Sequence, residues 1–319
     1  MNDMNVSEQT DWIKSLALTS GFLSVGIARA RKLDETEKQL EDWLSQGYQG
    51  DMSYMENHRL QRMDPTLLVP GAQSVISLAY NYFTPPSQTE GVPKISTYAY
   101  GKDYHKVLKK KLKTMWNRIK AEIAPQAIGR YFVDSAPVME RQWAALAGLG
   151  WQGKNTLLIH PKHGSYFFIA EIICDIPLKY DQPISDHCGT CTRCIDACPT
   201  GAIAEEGYLV KANQCISYLT IETKQDIPAH LAEQLNQWVF GCDICQQVCP
   251  WNKFSSAHTE PAFNPVSDVH QWGIRQWNEL DQEQFDQHFG HTPVRRAGYD
   301  KLKRTIQSTH SMPEDGISG

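Results

Sequence analysis

Apolar and polar residues recur along this chain with two different periods, and each change of period marks an element. Trp12, Leu16 and Leu18 belong to a first helix, and the run from Phe22 to Ile27 is strand-like. Helical spacing resumes from Glu35 to Trp43 and stops near Gly47. The stretch MDPTLLVPGAQSVISLAYNYF predicts a helix ending at Pro70-Gly71 and a strand from Ser74 to Tyr82. The clearest helix covers 103–123, where Leu108, Leu112, Met115, Ile119 and Ile123 form one apolar stripe. Lys106, Lys109, Lys110, Lys113 and Lys120 lie on its other faces. Residues 129–150 predict strand, turn and helix. NTLLIH and SYFFIAEIICDI (165–176) predict two strands joined by a short glycine turn and paired as a hairpin.

After Pro183 the composition changes and cysteines concentrate, which places a domain boundary near 180. The expected organisation is a first domain over 1–180, a cysteine-rich domain over 181–255, and a helical extension over 256–319. The end of that extension, STHSMPEDGISG, is expected to be disordered. No repeat with a period of 20–50 residues is visible.

With 41% hydrophobic and 21% charged residues, the 319-residue chain has the composition of a soluble globular protein. A net charge of −5 argues against whole-molecule attraction to a polyanion, so a nucleic acid would have to meet a local basic face. The opening MNDMNVSEQTDW has no basic stretch followed by an apolar one, and no segment is apolar for the ~18 residues of a membrane helix. The expectation is a cytoplasmic protein without a membrane partner, where clustered cysteines mean metal more often than disulfides.

The chain has nine cysteines. HCGTCTRCIDACPTGAI carries Cys188, Cys191, Cys194 and Cys198 in the C-x2-C-x2-C-x3-C-P spacing of two-cluster ferredoxins, whose fourth cysteine serves the other cluster. GCDICQQVCP supplies Cys242, Cys245 and Cys249, and Cys215 in ANQCISY completes the set. Cys188, Cys191, Cys194 and Cys249 would then hold one [4Fe–4S] cluster, and Cys198, Cys215, Cys242 and Cys245 the other. A pair of zinc sites also uses C-x2-C pairs, but has no need of three cysteines at successive x2 spacing followed by C-P. Cys174 is left over on an apolar strand and reads as a small buried hydrophobe. Two adjacent clusters form a wire, and composition and periodicity do not reveal its terminal acceptor.

Several stretches together resemble the epoxyqueuosine reductase family: RMDPTLLVPGAQSVISLAYNY, ISTYAYGKDYHKVLKKKL, VDSAPVMERQWAALAGLGWQGKNTLLIHPKHGSYFFIAEI, CGTCTRCIDACPTGAI, NQCISYLTIE and FGCDICQQVCPWN. They run from about residue 10 to 255 in this order. The resemblance implies an α+β fold, with a nitroreductase-like cobalamin-binding domain followed by a ferredoxin-like domain with two [4Fe–4S] clusters. It implies a base-off cobalamin as acceptor, an external low-potential electron donor, and a tRNA with a GUN anticodon carrying epoxyqueuosine. The reaction implied is two-electron removal of the epoxide oxygen. Asp134 in VDSAPVMER would be the proton donor, kept neutral by burial beside the corrin and away from cations. The competing reading of Asp134 is an ionised helix N-cap, which could not act as an acid.

For the cofactor, the resemblance points to Arg62, Tyr98, Lys154, Thr156, Ser165, Ser217 and Asp243, with Asn155 and the stretch from Tyr98 to His105 as further candidates. For tRNA the candidate basic faces are Lys106, Lys110 and Lys113 with their helix, and Arg295, Arg296, Lys301, Lys303 and Arg304. Tyr98, Tyr100 or Tyr104 would stack on an extruded base. Many relatives carry a further helical-repeat domain, so this chain is expected to be a short form, and a monomer. Two other classes stay open: an electron carrier with no substrate of its own, and a cobalamin enzyme acting on a small molecule. The long domain ahead of the cysteines counts against the first, and the lack of an export signal against the second.

Overall fold

The computed structural model describes residues 4–85, 88 and 90–310. Helix α1 (Val6–Thr19) starts at Asn5, whose side chain accepts from the Ser7 and Glu8 amides while Glu8 accepts from the Asn5 amide. Strand β1 (Ser24–Arg29) and helices α2 (Asp34–Ser45) and α3 (Arg59–Met63) follow. The helix expected to end at Pro70-Gly71 is broken earlier. Asp64 ends α3 and caps a separate 3₁₀ turn, Pro65–Leu67, because a proline cannot donate into the helical ladder. Next come β2 (Ser74–Asn81), β3 (Lys94–Ile95), α4 (Tyr104–Glu122), β4 (Gly129–Phe132) and α5 (Glu140–Leu146). Strands β5 (Trp151–Gln152), β6 (Leu158–Ile159) and β7 (Phe167–Cys174) complete this half.

The main sheet is antiparallel throughout and has the order β1-β2-β7-β4. Its two inner strands are buried on both faces, so their side chains divide between two cores by simple alternation. Ile76, Leu78, Tyr80, Ala170, Ile172 and Cys174 meet α1 and the stripe of α4, where Leu108, Leu112, Met115 and Ile119 are buried as expected. Each of those four contributes roughly 1.5–3 kcal/mol by leaving water. Val75, Ala79, Phe167 and Ile173 face the opposite way, toward α5 and the segment around Met63.

The expected hairpin of 155–160 with 165–176 does not form. Short β6 turns back onto β5 instead, and β7 is the inner strand between β2 and β4. An almost unbroken apolar run is stable where both faces are covered, which a two-stranded hairpin cannot offer.

The cysteine-rich half contains α6 (Arg193–Asp196), α7 (Ile216–Ile221), α8 (Ala229–Ala232), β8 (Trp238–Phe240) and α9 (Ile244–Gln247). It is joined to the first half by a parallel ladder, β3 with β8, in which Lys94 pairs with Trp238 and Ile95 with Phe240. Helices α10 (Ile274–Glu279), α11 (Gln282–Phe289) and α12 (Tyr299–His310) then return to that ladder. Val92, Ile95, Ala99 and Tyr100 share one core with Val239, Phe240, Trp277, Phe289 and Leu302. Residues from all three expected regions therefore meet in this core. Of the expected disordered tail, Ser308 to His310 finish α12, and the rest lies outside the described residues. Among the described residues, no helix is long and apolar enough to cross a membrane.

Candidate active site

The cysteines fall into two groups. Cys194 interacts electrostatically with Cys188, Cys249 and Cys191, and Cys249 with Cys188 and Cys191. Cys242 interacts with Cys215 and Cys245, Cys215 with Cys198, and Cys245 with Cys215, Cys194 and Cys198. These interactions run largely within the expected quartets, Cys188, Cys191, Cys194 and Cys249 (called outer) and Cys198, Cys215, Cys242 and Cys245 (called inner), with that of Cys245 and Cys194 crossing between them. All eight are free and partly buried. Burial raises the thiols of Cys188, Cys215, Cys242, Cys245 and Cys249, and takes that of Cys194 to about 11. A cationic centre that claims the sulfurs as thiolates would reverse that penalty, which suits these sites to iron–sulfur clusters.

Two one-turn helices, α6 and α9, present the turns, and neighbouring side chains fix them. Lys154 donates from Nζ to the carbonyls of Gly189 (2.8 Å) and Cys191 (3.1 Å), pinning the outer turn. Gly241, just before Cys242, has φ of +70°, and a Cβ there would lie 2.2 Å from Ser96 Oγ, so only glycine fits. Asp243 is buried and accepts from the amide (2.8 Å) and hydroxyl (2.7 Å) of Thr97.

A cavity of about 580 Å³ is lined in part by Phe240, two residues before Cys242, and by Ile221 at the end of the helix that follows Cys215. Tyr98, Phe240 and Ile221 give it an apolar wall; Asp103, His105, Asp134 and Glu222 are acidic or titratable; Lys106, Arg295 and Arg296 stand at its edge. Asp134 follows β4 in the left-handed region, φ 56°, and its amide donates to Glu140 Oε1 at 2.5 Å. The helix after it begins only at Glu140, with Met139 as an N-cap that makes no side-chain bond, so Asp134 is not the helix cap.

The carboxylate of Asp134 is held by α4. Tyr104 donates its hydroxyl to Oδ2 at 2.5 Å, and His105 Nε2 lies 3.3 Å from the same oxygen. Asp103, the N-cap of α4, accepts from the His105 amide and lies 2.8 Å from its Nδ1, which fixes the ring. Tyr104 stacks on Phe168 with centroids 4.0 Å apart.

The electrostatics differ from the expectation of a neutral, cation-free acid. Burial pushes the Asp134 carboxyl up, but bonds from His105 and Tyr104, and the charges of His105 and Arg296, hold it below its ordinary value. Burial pushes His105 down, yet Asp103 and Asp134 outweigh this and raise it to about 9. At neutral pH the proton therefore rests on the imidazole rather than on the carboxylate.

Of the expected cofactor residues, Tyr98 lines this cavity together with Asp103, Tyr104 and His105 of the stretch from Tyr98 to His105, and the others do not. Arg62 is buried and donates to the Tyr54 carbonyl. Thr156, at φ 63°, receives Arg141 at its carbonyl and hydroxyl. Asn155 donates to the Cys245 carbonyl, and Ser165 is tied to Asn252 and Gln246. Ser217 accepts from Thr220 through its carbonyl. Lys154, Asn155, Ser165 and Asp243 thus use their polar atoms to join the two halves and support the cysteine turns.

Tyr100 is buried in the third core. Lys110 and Lys113 are exposed on α4, and with Lys106 they make no salt bridge among the described residues. In the C-terminal basic group, Arg296 pairs with Glu222 at 2.5 Å and Arg304 with Asp226 at 3.1 Å. Lys301 and Lys303 bond to backbone carbonyls. Sequence reading missed Glu140, Arg141 and Glu171. Glu171 had one signal, a lone acid inside an apolar strand pattern.

Comparisons with known proteins agree with this division. A family model described as a 4Fe-4S double cluster binding domain matches residues 187–252, and one described as epoxyqueuosine reductase QueG, DUF1730, matches 62–135. The epoxyqueuosine reductase of Cellulophaga algicola is 50% identical over 95% of this chain and 99% of its own length. That of Pseudomonas aeruginosa is 43% identical over 93% of this chain and 82% of its own. A crystal structure of an epoxyqueuosine reductase with an epoxyqueuosine-modified tRNA-Tyr stem loop superposes with a TM-score of 0.85. It is 31% identical, across 96% of this chain and 81% of that one. The Bacillus subtilis enzyme, in a state with its aspartate-bearing catalytic loop swung out of the active site, gives 0.84 at 30% identity, across 96% of this chain and 82% of that one.

Proposed function

The chain belongs to the epoxyqueuosine reductase family, and on that premise we propose that it removes the epoxide oxygen of epoxyqueuosine at the wobble position of a tRNA. It is an oxidoreductase with a double [4Fe–4S] cluster domain. One observation carries the assignment of the site. A carboxylate bridged by a tyrosine and a charged histidine faces a cavity whose wall includes Phe240, two residues before Cys242.

Removing an epoxide oxygen as water takes two electrons and two protons and leaves an alkene. The clusters and a cobalamin, when bound, would supply the electrons at low potential. The apolar wall of Tyr98, Phe240 and Ile221 suits a macrocycle, and a nitroreductase-like first domain would hold it. A groove of about 850 Å³ at Cys249, edged by Arg193 and Lys253, is where an external low-potential donor would approach the outer quartet.

The protein's own part is proton delivery. An epoxide oxygen is a poor leaving group as an alkoxide, so an acid must reach it as the C–O bond opens. His105 carries the proton on Nε2, facing Asp134 Oδ2. Expelling water from the cavity penalises the imidazolium–carboxylate pair relative to its neutral form. Entry of the substrate would therefore move the proton onto Asp134, which then donates it. Tyr104 stabilises the carboxylate that remains.

Lys106, Arg295 and Arg296 at the cavity edge, with Lys110 and Lys113 further along α4, would meet phosphates around an extruded base. A tRNA with a GUN anticodon, a cytoplasmic location and a monomeric state complete the reading. Nucleoside analysis of epoxyqueuosine-containing tRNA, incubated with reconstituted protein and a reductant, is the direct test. Wild type should yield queuosine, and D134N should lose about 10²–10⁴ in rate with little change in KM for tRNA. A wild-type rate in D134N would remove Asp134 from the chemistry.

A further inference from the structure

Glu171 is the only charged residue of β7, in the middle of the sheet. None of its surface is exposed, and neither carboxyl oxygen has a partner among the described residues. Across the sheet it stands opposite Ser77 of β2 and Phe132 of β4. Ser77 is equally buried, and its hydroxyl also lacks a partner, as does Arg62 Nε of α3. Helix α5 packs against β2 and β7 and carries Glu140 in its first turn. Glu140 accepts from the amide of Asp134, so a carboxyl group lies directly behind the catalytic loop.

An isolated carboxylate costs several kcal/mol to bury, so this arrangement is stable with the acids protonated. Burial, then the charges of Glu140 and Asp134, push Glu171 well above the usual carboxylate range. Burial and the charge of Asp134 take Glu140 to about 8, against the pull of His105 and Arg141. Arg62 from α3 also attracts Glu140. Two neutral acids thus stand behind one ionised acid. Buried polar atoms without protein partners take up internal water, which can bridge them.

From the orphaned groups of Glu171 and Ser77, with Glu140 on the helix packed against their strands, we infer that the three, linked by internal water, form a proton reservoir behind the Asp134 loop. The inference rests on the reaction proposed above. The His105–Asp134 pair holds one proton, used when the C–O bond opens, and the reservoir supplies the second as the oxygen departs as water. Afterwards two solvent protons restore both stores. Glu171 touches neither substrate nor cofactor in this scheme and acts through the loop.

The test combines a spectrum that needs no turnover with a rate. Infrared spectra of the cluster-loaded protein at neutral pH should show a buried carboxylic-acid carbonyl band. The Glu171 component of that band should be lost in E171Q, leaving that of Glu140, and the band should shift in D134N. Turnover of modified tRNA stem loop by E171Q should fall about tenfold or more at unchanged KM. Absence of the band, or E171Q turning over at the wild-type rate, would overturn the reservoir while leaving the proposed reaction intact. A wild-type protein that leaves epoxyqueuosine untouched would overturn both. Should E171Q be too unstable to assay, the wild-type band and its shift in D134N decide.

Discussion

The cysteine turns and the aspartate cavity are neighbours, yet burial acts on them with opposite results. The thiols have few cationic neighbours, so desolvation raises them, and only a bound metal centre can keep them as thiolates. Asp134, whose side chain keeps 45% of its surface exposed, is desolvated only in part and meets His105, Tyr104 and Arg296, which together hold its carboxyl below the ordinary value. One site thus depends on its cofactor for its charge state, and the other carries its counter-charge within the fold. Loss of metal should therefore damage the first region outright, whereas the second should fail by degrees and with pH.

The largest effect expected from this contrast is at the inner quartet. C245S should leave about four irons per chain instead of about eight, and abolish epoxyqueuosine reduction. Iron analysis with visible spectroscopy would check it, and full iron content in the variant would break the assignment of that cysteine.

A smaller effect, with a characteristic pH signature, is expected at His105. Its folded value is raised to about 9, so the imidazolium is present below that pH and lost above it. The rate of the wild-type enzyme should fall as pH rises through about 9. The ion pair likewise stabilises the fold fully below the free-histidine value of about 6.5, and this contribution disappears as pH rises through the folded value. H105Q should lose the alkaline limb and run about 10²-fold slower at neutral pH. An unchanged pH–rate profile in H105Q would mean that another group holds the proton.

The smallest effect is expected at the cavity rim. Lys106→Glu with Arg295→Glu should raise KM for the tRNA stem loop and leave kcat nearly unchanged. The dependence of binding on salt should become shallower, by about one unit of log–log slope per lost phosphate contact. Binding titrations at several salt concentrations would check it.

The same contrast explains what could be read from the sequence. A cubane imposes its own spacing on a short stretch of chain, so both cysteine runs were visible as strings, and Cys215 followed as the missing ligand. The stripe of α4 and the strand from Ser74 were legible because their periods are long and regular. The proton site has no such string. It joins Tyr104 and His105 at the start of one helix to Asp134 after a strand and Arg296 near the C-terminus. No spacing rule links them, so Asp134 was identified by resemblance, and the cationic groups His105 and Arg296 beside it were not foreseen. The hairpin expectation failed for a related reason. Local turn chemistry suggested that β6 meets β7, whereas two-sided burial placed β7 in the main sheet. Lys154, Ser165 and Asp243 are polar residues near the cysteines, and sequence alone does not distinguish a cofactor contact from a brace.

The ladder of Lys94 with Trp238 and Ile95 with Phe240 is only two rungs long, but it ends two residues before Cys242. Phe240 belongs to both the ladder and the wall, and it sits in a core shared by all three regions of the chain. Interfaces of that apolar kind do not hinge freely. In the proposed reaction, the path of an electron from the turn at Cys242 to the cavity is therefore set by covalent geometry and packing. Solvent viscosity should slow the arrival of tRNA and of the external donor, and leave that last internal transfer unaffected.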